Sequence, residues 1–419
     1  MIQETVLSNG LTILTESMPN IRSVSIGVWL RKGSRHEVAK ENGISHFLEH
    51  LVFKGTDRRS TEEIARTIDS IGGQMDAFTT KEYTCFYAKV LDDHLPVAID
   101  LLADLLLHPL FDPGEIERER KVIFEEIRMV DDTPEELVYD LFSDHFWKEH
   151  PLGRPIQGTR QTVESMGRDR LRGFFRESYQ PGHIIISAAG NLQHQKLVDA
   201  IRATFEVLED RSNNLQDESP SVQKGMVLRE KSELGQLHIC LGLEGYSQNH
   251  PRRYQWYVLN TLLGGGMSSR LFQNIREKRG LAYSVYSSVN GFRDTGNFLV
   301  YSATSPESGE EVVQLILEEF QRLKKNLVED RELVMAKENL KGSLMLSLES
   351  SSNRMSNLAR QHIYFGRQSS LNEILKGIES VDRPQVQDLC RDLFDPERCA
   401  LAVLGKVDSF KLREEELSF

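Results

Sequence analysis

The chain has 419 residues, 39% of them hydrophobic and 27% charged, with Lys+Arg 51 against Asp+Glu 63 and a net charge of -12. That length exceeds one ordinary hydrophobic core and sets two domains as the expectation, while the acidic balance argues against nucleic acid and anionic membrane as main partners. Cys85, Cys240, Cys390 and Cys399 are scattered without a CxxC pair, which excludes a thiolate zinc site and a disulfide framework and leaves free thiols in a reducing compartment.

At the N-terminus, MIQETVLSNGLTIL predicts a strand, a turn at Asn9-Gly10 and a second strand. Glu4 stands where a signal peptide needs a basic start, and no apolar run approaches the roughly 18 residues of a membrane span, so the cytoplasm is the expected location. SVSIGVWL, residues 23–30, predicts a third strand. A helix carrying His46 follows, and then a second helix opened by the Ser60–Glu63 capping box and stopped at Gly72-Gly73. Residues 74–90, rich in β-branched and aromatic side chains, predict one long strand or a hairpin. Three helical stretches fill residues 93–150, the middle one starting near Pro113.

The polar run DRSNNLQDESPS, at residues 210–221, is the strongest linker signal in the chain. It divides the sequence into an N-terminal domain, 1–210, a linker, 211–224, and a C-terminal domain, 225–419. Element order repeats across it. Each half closes on an apolar strand ending in Gly, at Gly190 and at Gly405, and GISHFLEH from Gly43 aligns with GMSSRLFQ from Gly266. The fold class expected is α+β: two homologous domains, each a mostly antiparallel β-sheet covered by helices.

That alignment sets His46 against Ser269, Glu49 against Phe272 and His50 against Gln273. The first copy therefore carries something the scaffold does not need. Residues four apart on a helix are separated by about 40° around the axis and about 6 Å along it, so His46 and His50 can share one zinc, with Glu49 close enough to reach a water on the metal. The order HxxEH inverts the usual HExxH. Two neutral imidazoles call for an acidic third ligand from another helix. EIERERKVIFEEI, residues 115–127, offers several carboxylates, of which Glu119 and Glu126 share a face two turns apart, with Val122 and Ile123 between them. The competing reading of so short a motif is a pair of structural histidines. The other ten histidines have no ligand spacing, and Gly264-Gly265-Gly266 lacks the GK[ST] of a phosphate loop.

GISHFLEHLVFKGT, the acidic helix, and LLGGGMSSRLFQNIREKRGLAYSVYS at residues 262–287 together resemble the pitrilysin / mitochondrial processing peptidase family of zinc metallopeptidases. The resemblance runs over essentially the whole chain and is strongest to the short bacterial members with one two-domain subunit per chain, each subunit half of a clamshell. It implies one Zn2+ per chain held by His46, His50 and Glu126, with Glu119 orienting a ligand histidine and Glu49 as general base on the zinc-bound water. It also implies that Arg276 and Tyr283, seven residues apart, contact substrate in the second domain, and that the strand starting at Asp76, Ala77, Phe78 and Thr79 binds peptide by edge addition. Asp76 departs from the Asn common in the family, since a carboxylate cannot donate as an amide does.

The function expected is zinc-dependent endopeptidase action on peptides or unfolded polypeptide. The partner expected is a second copy of the chain, whose Arg276 and Tyr283 complete the first copy's zinc site. The alternatives are a non-catalytic structural or partner subunit of the same fold, and a zinc-dependent peptide-binding module.

Overall fold

The computed structural model describes residues 2–209 and 218–419. Most of the polar run read as a linker, 210–217, lies outside the described residues. The chain forms two compact units, one from residues 2–129, 154–209 and 346–368, the other from 130–153, 218–345 and 369–419.

The first unit holds a six-stranded sheet. Its strands are β1 (Ile2–Val6), β2 (Thr12–Ser17), β3 (Ser23–Leu30), β4 (Gln74–Thr79), β5 (Thr84–Leu91) and β6 (Ile184–Gly190), in the order β1-β2-β6-β3-β5-β4. Only β2 and β6 run parallel. Residues 74–90 resolve as a hairpin, β4 and β5, turning at residues 80–83 where Thr80 N donates to Tyr83 O.

The second unit holds β7 (Gly225–Glu230), β8 (Leu237–Glu244), β9 (Ala282–Gly291), β10 (Gly296–Thr304) and β11 (Cys399–Gly405), in the order β7-β11-β8-β10-β9. Here β7 and β11 form the parallel pair. Setting β7 on β2, β11 on β6, β8 on β3, β10 on β5 and β9 on β4 reproduces order and direction, and among the described residues β1 has no counterpart. The architecture is α+β in two domains with mostly antiparallel sheets, as the repeat predicts.

The first five α-helices are α1 (Ile44–Val52), α2 (Thr61–Ser70), α3 (Leu95–Leu107), α4 (Pro113–Asp131) and α5 (Pro134–Phe146), of which α1 and α4 carry the site. The predicted cap of α2 forms, with Ser60 Oγ accepting from Glu63 N and Glu63 reaching back to Ser60 N at 2.8 Å. Apolar side chains of α1 and α3, among them Phe47, Leu48, Leu51 and Leu102, pack on Ile26, Val28 and Phe86 to form the core on one sheet face.

The opposite face is covered by a helix from the other half of the sequence. Met355, Leu358 and Ile363 of helix Ser351–Phe365 pack on Trp29, Cys85 and Ile185. The second sheet receives the reciprocal element, because Val138, Phe142 and Phe146 of α5 pack on Cys240, Tyr301 and Ala402. Burial of one such large side chain is worth about 1.5–3 kcal/mol. Covering on both faces explains why β3, β6 and β11 are buried without in–out alternation. Phe142 lies so close to β8 that a Cβ on Gly242 would stand 2.2 Å from its ring.

Candidate metal centre

α1 starts from a defined point. Gly43 has φ 97, the left-handed region that favours glycine, and a Cβ there would stand 2.6 Å from the Gln157 carbonyl oxygen. The buried carboxylate of Glu37 then accepts from Gly43 N and Ser45 N, both at 2.8 Å, and from Asn42 Nδ2 at 3.2 Å. Orphan amides of the first turn are thereby satisfied and the helix dipole meets a negative charge. Burial raises the Glu37 carboxyl against the pull of these bonds.

From that start, 3.6 residues per turn bring His46 and His50 onto one side, with ring centres 4.7 Å apart. Glu126 of α4 meets both: Oε2 lies 3.5 Å from His46 Nε2 and Oε1 lies 3.5 Å from His50 Nε2. Two donors at 2.0–2.1 Å from a tetrahedral zinc are about 3.3–3.4 Å apart. The three residues offer ligand atoms that all lie within 4.8 Å of one another, and they form the one such group of three among the described residues. Two imidazoles and a carboxylate are the donor set of a catalytic zinc with an open position.

The tautomer of His50 follows from its neighbour. Nδ1 stands 3.1 Å from Glu119 Oε2, and a carboxylate only accepts, so Nδ1 carries the proton and Nε2 keeps its lone pair for a metal. Glu119 is itself held by the Lys54 ammonium at 2.8 Å through Oε1. Burial opposes the Glu119 charge, but His50 and Lys54 more than offset it and lower its pKa. His46 Nδ1 is buried and has no hydrogen-bond partner among the described residues.

Without an ion the histidines diverge. Burial, and then the charge on His50, lowers His46 to about 4. Burial also works against a charged His50, yet its bonds to Glu119 and Glu126 raise it to about 9.

Glu49 is half-buried beside this pair. Its Oε2 accepts from Thr79 Oγ1 at 2.5 Å, and burial raises its pKa above the ordinary carboxylate range. Glu119 is buried on α4 along with Ile123, while Val122, expected to flank the carboxylates on an apolar face, is 42% exposed and points outward. Residues 76–79 lie on β4, at the edge of the sheet. Asp76 Oδ1 accepts from Ala77 N, and the Phe78 ring packs edge-on against Trp29 at 5.7 Å.

In the second unit the counterpart of α1 is a short π-helical turn, Phe272–Glu277. At the positions matching the histidines, Ser269 is buried and Gln273 Nε2 donates to the Met267 carbonyl at 2.8 Å. Arg270 binds Glu332 through two bonds of 2.6 and 2.7 Å. The Arg276 guanidinium lies between rings, 4.7 Å from the centre of Phe272 and 5.2 Å from that of Tyr283. A bulge sets Tyr283 apart. Ala282 pairs with Thr304 and Ser284 with Ala303, so Tyr283 opposes nothing and is 75% exposed.

Glu37 and Lys54 escape the sequence reading. Lys54 carries a faint signal, four residues past His50 on the same helical phase. Glu37 carries none, because it precedes α1 and acts on backbone amides.

The chain matches the family model described as Insulinase (Peptidase family M16) over residues 12–160, and that described as Peptidase M16 inactive domain over residues 165–340. An uncharacterized zinc protease of Bacillus subtilis is 43% identical over 405 residues, which is 97% of this chain and 98% of that one. One from Streptomyces coelicolor is 41% identical over 417 residues, 96% of this chain and 89% of that one. Among solved structures, a protease from Helicobacter pylori matches with a TM-score of 0.89 at 23% identity, covering 97% of this chain and 99% of that one. A peptidase M16 inactive domain from Pseudomonas fluorescens matches at 0.90 and 20% identity, over 96% and 98%. The two structures share this fold. The chain belongs to peptidase family M16.

Proposed function

We propose that this chain is a zinc-dependent endopeptidase acting on peptides or unfolded polypeptide segments. The observation that carries the reading is the convergence of His46, His50 and Glu126, from two helices, beside the half-buried carboxylate of Glu49. His46, His50 and Glu126 would hold the ion, one per chain, with Glu119 keeping the His50 ring in its metal-binding tautomer. When bound, zinc supplies Lewis acidity to a water and to the scissile carbonyl.

The proton work falls to Glu49. Its raised pKa suits a group that takes a proton from water and returns it to the leaving amine near neutral pH. The unpaired edge of β4 offers backbone donors and acceptors to an extended peptide, which would give binding with little dependence on side chains. Tyr283 and Arg276, exposed and half-exposed on the second unit, supply a phenol and a guanidinium for the substrate carbonyl. A homodimer in which they serve the partner's zinc site is part of this reading. Four buried, free cysteines support a reducing compartment such as the cytoplasm, and no described helix is long and apolar enough to cross a membrane.

The test pairs zinc content by elemental analysis with cleavage of a quenched fluorescent peptide. The expected result is one zinc per chain and cleavage that a chelator stops. Zinc without cleavage would favour a peptide-binding module, and absence of zinc a structural subunit. Glu49→Gln is expected to keep zinc and lose about 10²–10⁴-fold in turnover.

A further inference from the structure

β4 is the outermost strand of its sheet, and its side chains alternate. Met75 and Ala77 pack against the core that contains α1, whereas Phe78 turns to the opposite face against Trp29 and Tyr83. Thr79 shares the face of Met75 and Ala77, so the pleat alone aims its hydroxyl toward α1. There Oγ1 donates to Glu49 Oε2 at 2.5 Å.

Both ends of this bond are anchored by one short segment, residues 33–37. Toward the hairpin, Gly33 approaches the turn so closely that a Cβ would stand 2.2 Å from the Thr80 carbonyl oxygen. Ser34 N donates to Thr80 O at 3.1 Å, Arg35 N donates to Lys81 O at 2.7 Å, and the buried Arg35 guanidinium pairs with Glu82 at 2.8 Å. Toward the helix, Glu37 holds the first turn of α1. The strand end bearing Thr79 and the helix bearing Glu49 are therefore fixed to the same five residues, and the Thr79–Glu49 bond closes the loop.

We propose that Thr79 is a positioning residue for the Glu49 base: its hydroxyl holds one carboxylate oxygen, leaves the other for proton transfer, and ties the base to the strand edge on which a peptide is laid. The inference rests on the peptidase reading above. It differs from a substrate-contact role for Thr79 in what it makes the hydroxyl do. A contact residue changes how tightly peptide binds, whereas a positioning residue changes turnover of peptide already bound.

Thr79→Val removes the hydroxyl at nearly constant volume, and Thr79→Ser keeps it. Thr79→Val is expected to lower kcat about 10–100-fold, the loss of one hydrogen bond to a charged group, with KM within about twofold of the parent. Thr79→Ser is expected to restore most of the turnover. A readout independent of catalysis uses chelator-stripped protein: the Kd of a fluorescent peptide, by anisotropy, is expected to match between the parent and Thr79→Val. A rise in both KM and this Kd with kcat retained would assign Thr79 to substrate contact and overturn the proposal. So would an unchanged kcat, or a Ser variant as slow as the Val variant, which would point to the methyl group. If the parent itself cleaves nothing, the peptidase reading falls and takes this inference with it. If the parent cleaves and any of those results appears, only the role of Thr79 falls.

Discussion

The Nδ1 atom of His50 and Oε2 of Glu119 are 3.1 Å apart, and the other Glu119 oxygen holds the Lys54 ammonium at 2.8 Å. This chain of contacts decides which ring nitrogen of His50 is free. Glu119→Ala is therefore expected to weaken zinc binding about 10–100-fold without removing a ligand. Competition against a zinc-binding dye measures this, and an unchanged affinity would remove Glu119 from the orienting role.

In the proposed metal site, zinc and a proton would compete for His50. With no ion, burial is outweighed by Glu119 and Glu126, and the ring stays protonated up to about 9. His46, at about 4, is already neutral at pH 7. Zinc uptake at pH 7 is expected to release about one proton, and the apparent affinity to fall about tenfold per unit as pH drops from 9 to 7. Calorimetry in two buffers of different ionisation enthalpy counts the proton. The sign for the stripped protein follows from linkage: a raised pKa stabilises the fold fully below the ordinary histidine value of 6.5, and that stability is lost as pH rises through about 9. The metal-free protein is expected to melt lower at pH 9.5 than at pH 6.

Arg276 and Tyr283 form a pair of their own, the guanidinium 5.2 Å from the ring centre, on the unit that lacks the metal-binding group. If two copies exchange these side chains, mixing Glu49→Gln with Tyr283→Phe reconstitutes one intact site in each mixed dimer. Random pairing in a two-fold dimer then gives about a quarter of parental activity. Recovery near that level on mixing the two inactive variants is the expected outcome, and none at all would argue for sites completed within one chain.

Gly33 has backbone where a Cβ would go, the Thr80 carbonyl oxygen at 2.2 Å, whereas a Cβ on Gly167 meets nothing within 4 Å. Gly33→Ala is expected to cost about 1–3 kcal/mol. Thermal melting would show a drop of a few degrees for Gly33→Ala and little change for Gly167→Ala. Equal melting temperatures would mean that the hairpin turn yields, contrary to its anchoring by Ser34, Arg35 and Glu82.

What was legible in the sequence was local or repeated. The Ser60–Glu63 cap, the Asn9-Gly10 turn and the apolar strands ending at Gly190 and Gly405 each depend on neighbours within a few residues. The HxxEH helix was legible because 3.6-residue periodicity fixes the relation of His46 to His50 before any tertiary contact forms. Glu126 was harder, one of several carboxylates on a charged helix. Resemblance to a family singles it out, and the fold brings it within 3.5 Å of both histidines.

The sequence by itself determined most of the elements, their repetition and the donor groups carried by α1. The tertiary structure decided which sheet each helix covers: α5 and helix Ser351–Phe365 show apolar faces in sequence, yet each packs on the sheet of the opposite half. It also decided that Glu37 caps α1, that Thr79 grips Glu49, and that a bulge turns Tyr283 outward. An apolar stripe specifies that a face must be buried and not against what. Likewise a carboxylate or hydroxyl specifies the bonds it can make and not its partner. Those choices are made by contacts between residues far apart in the chain, which compact packing alone brings together.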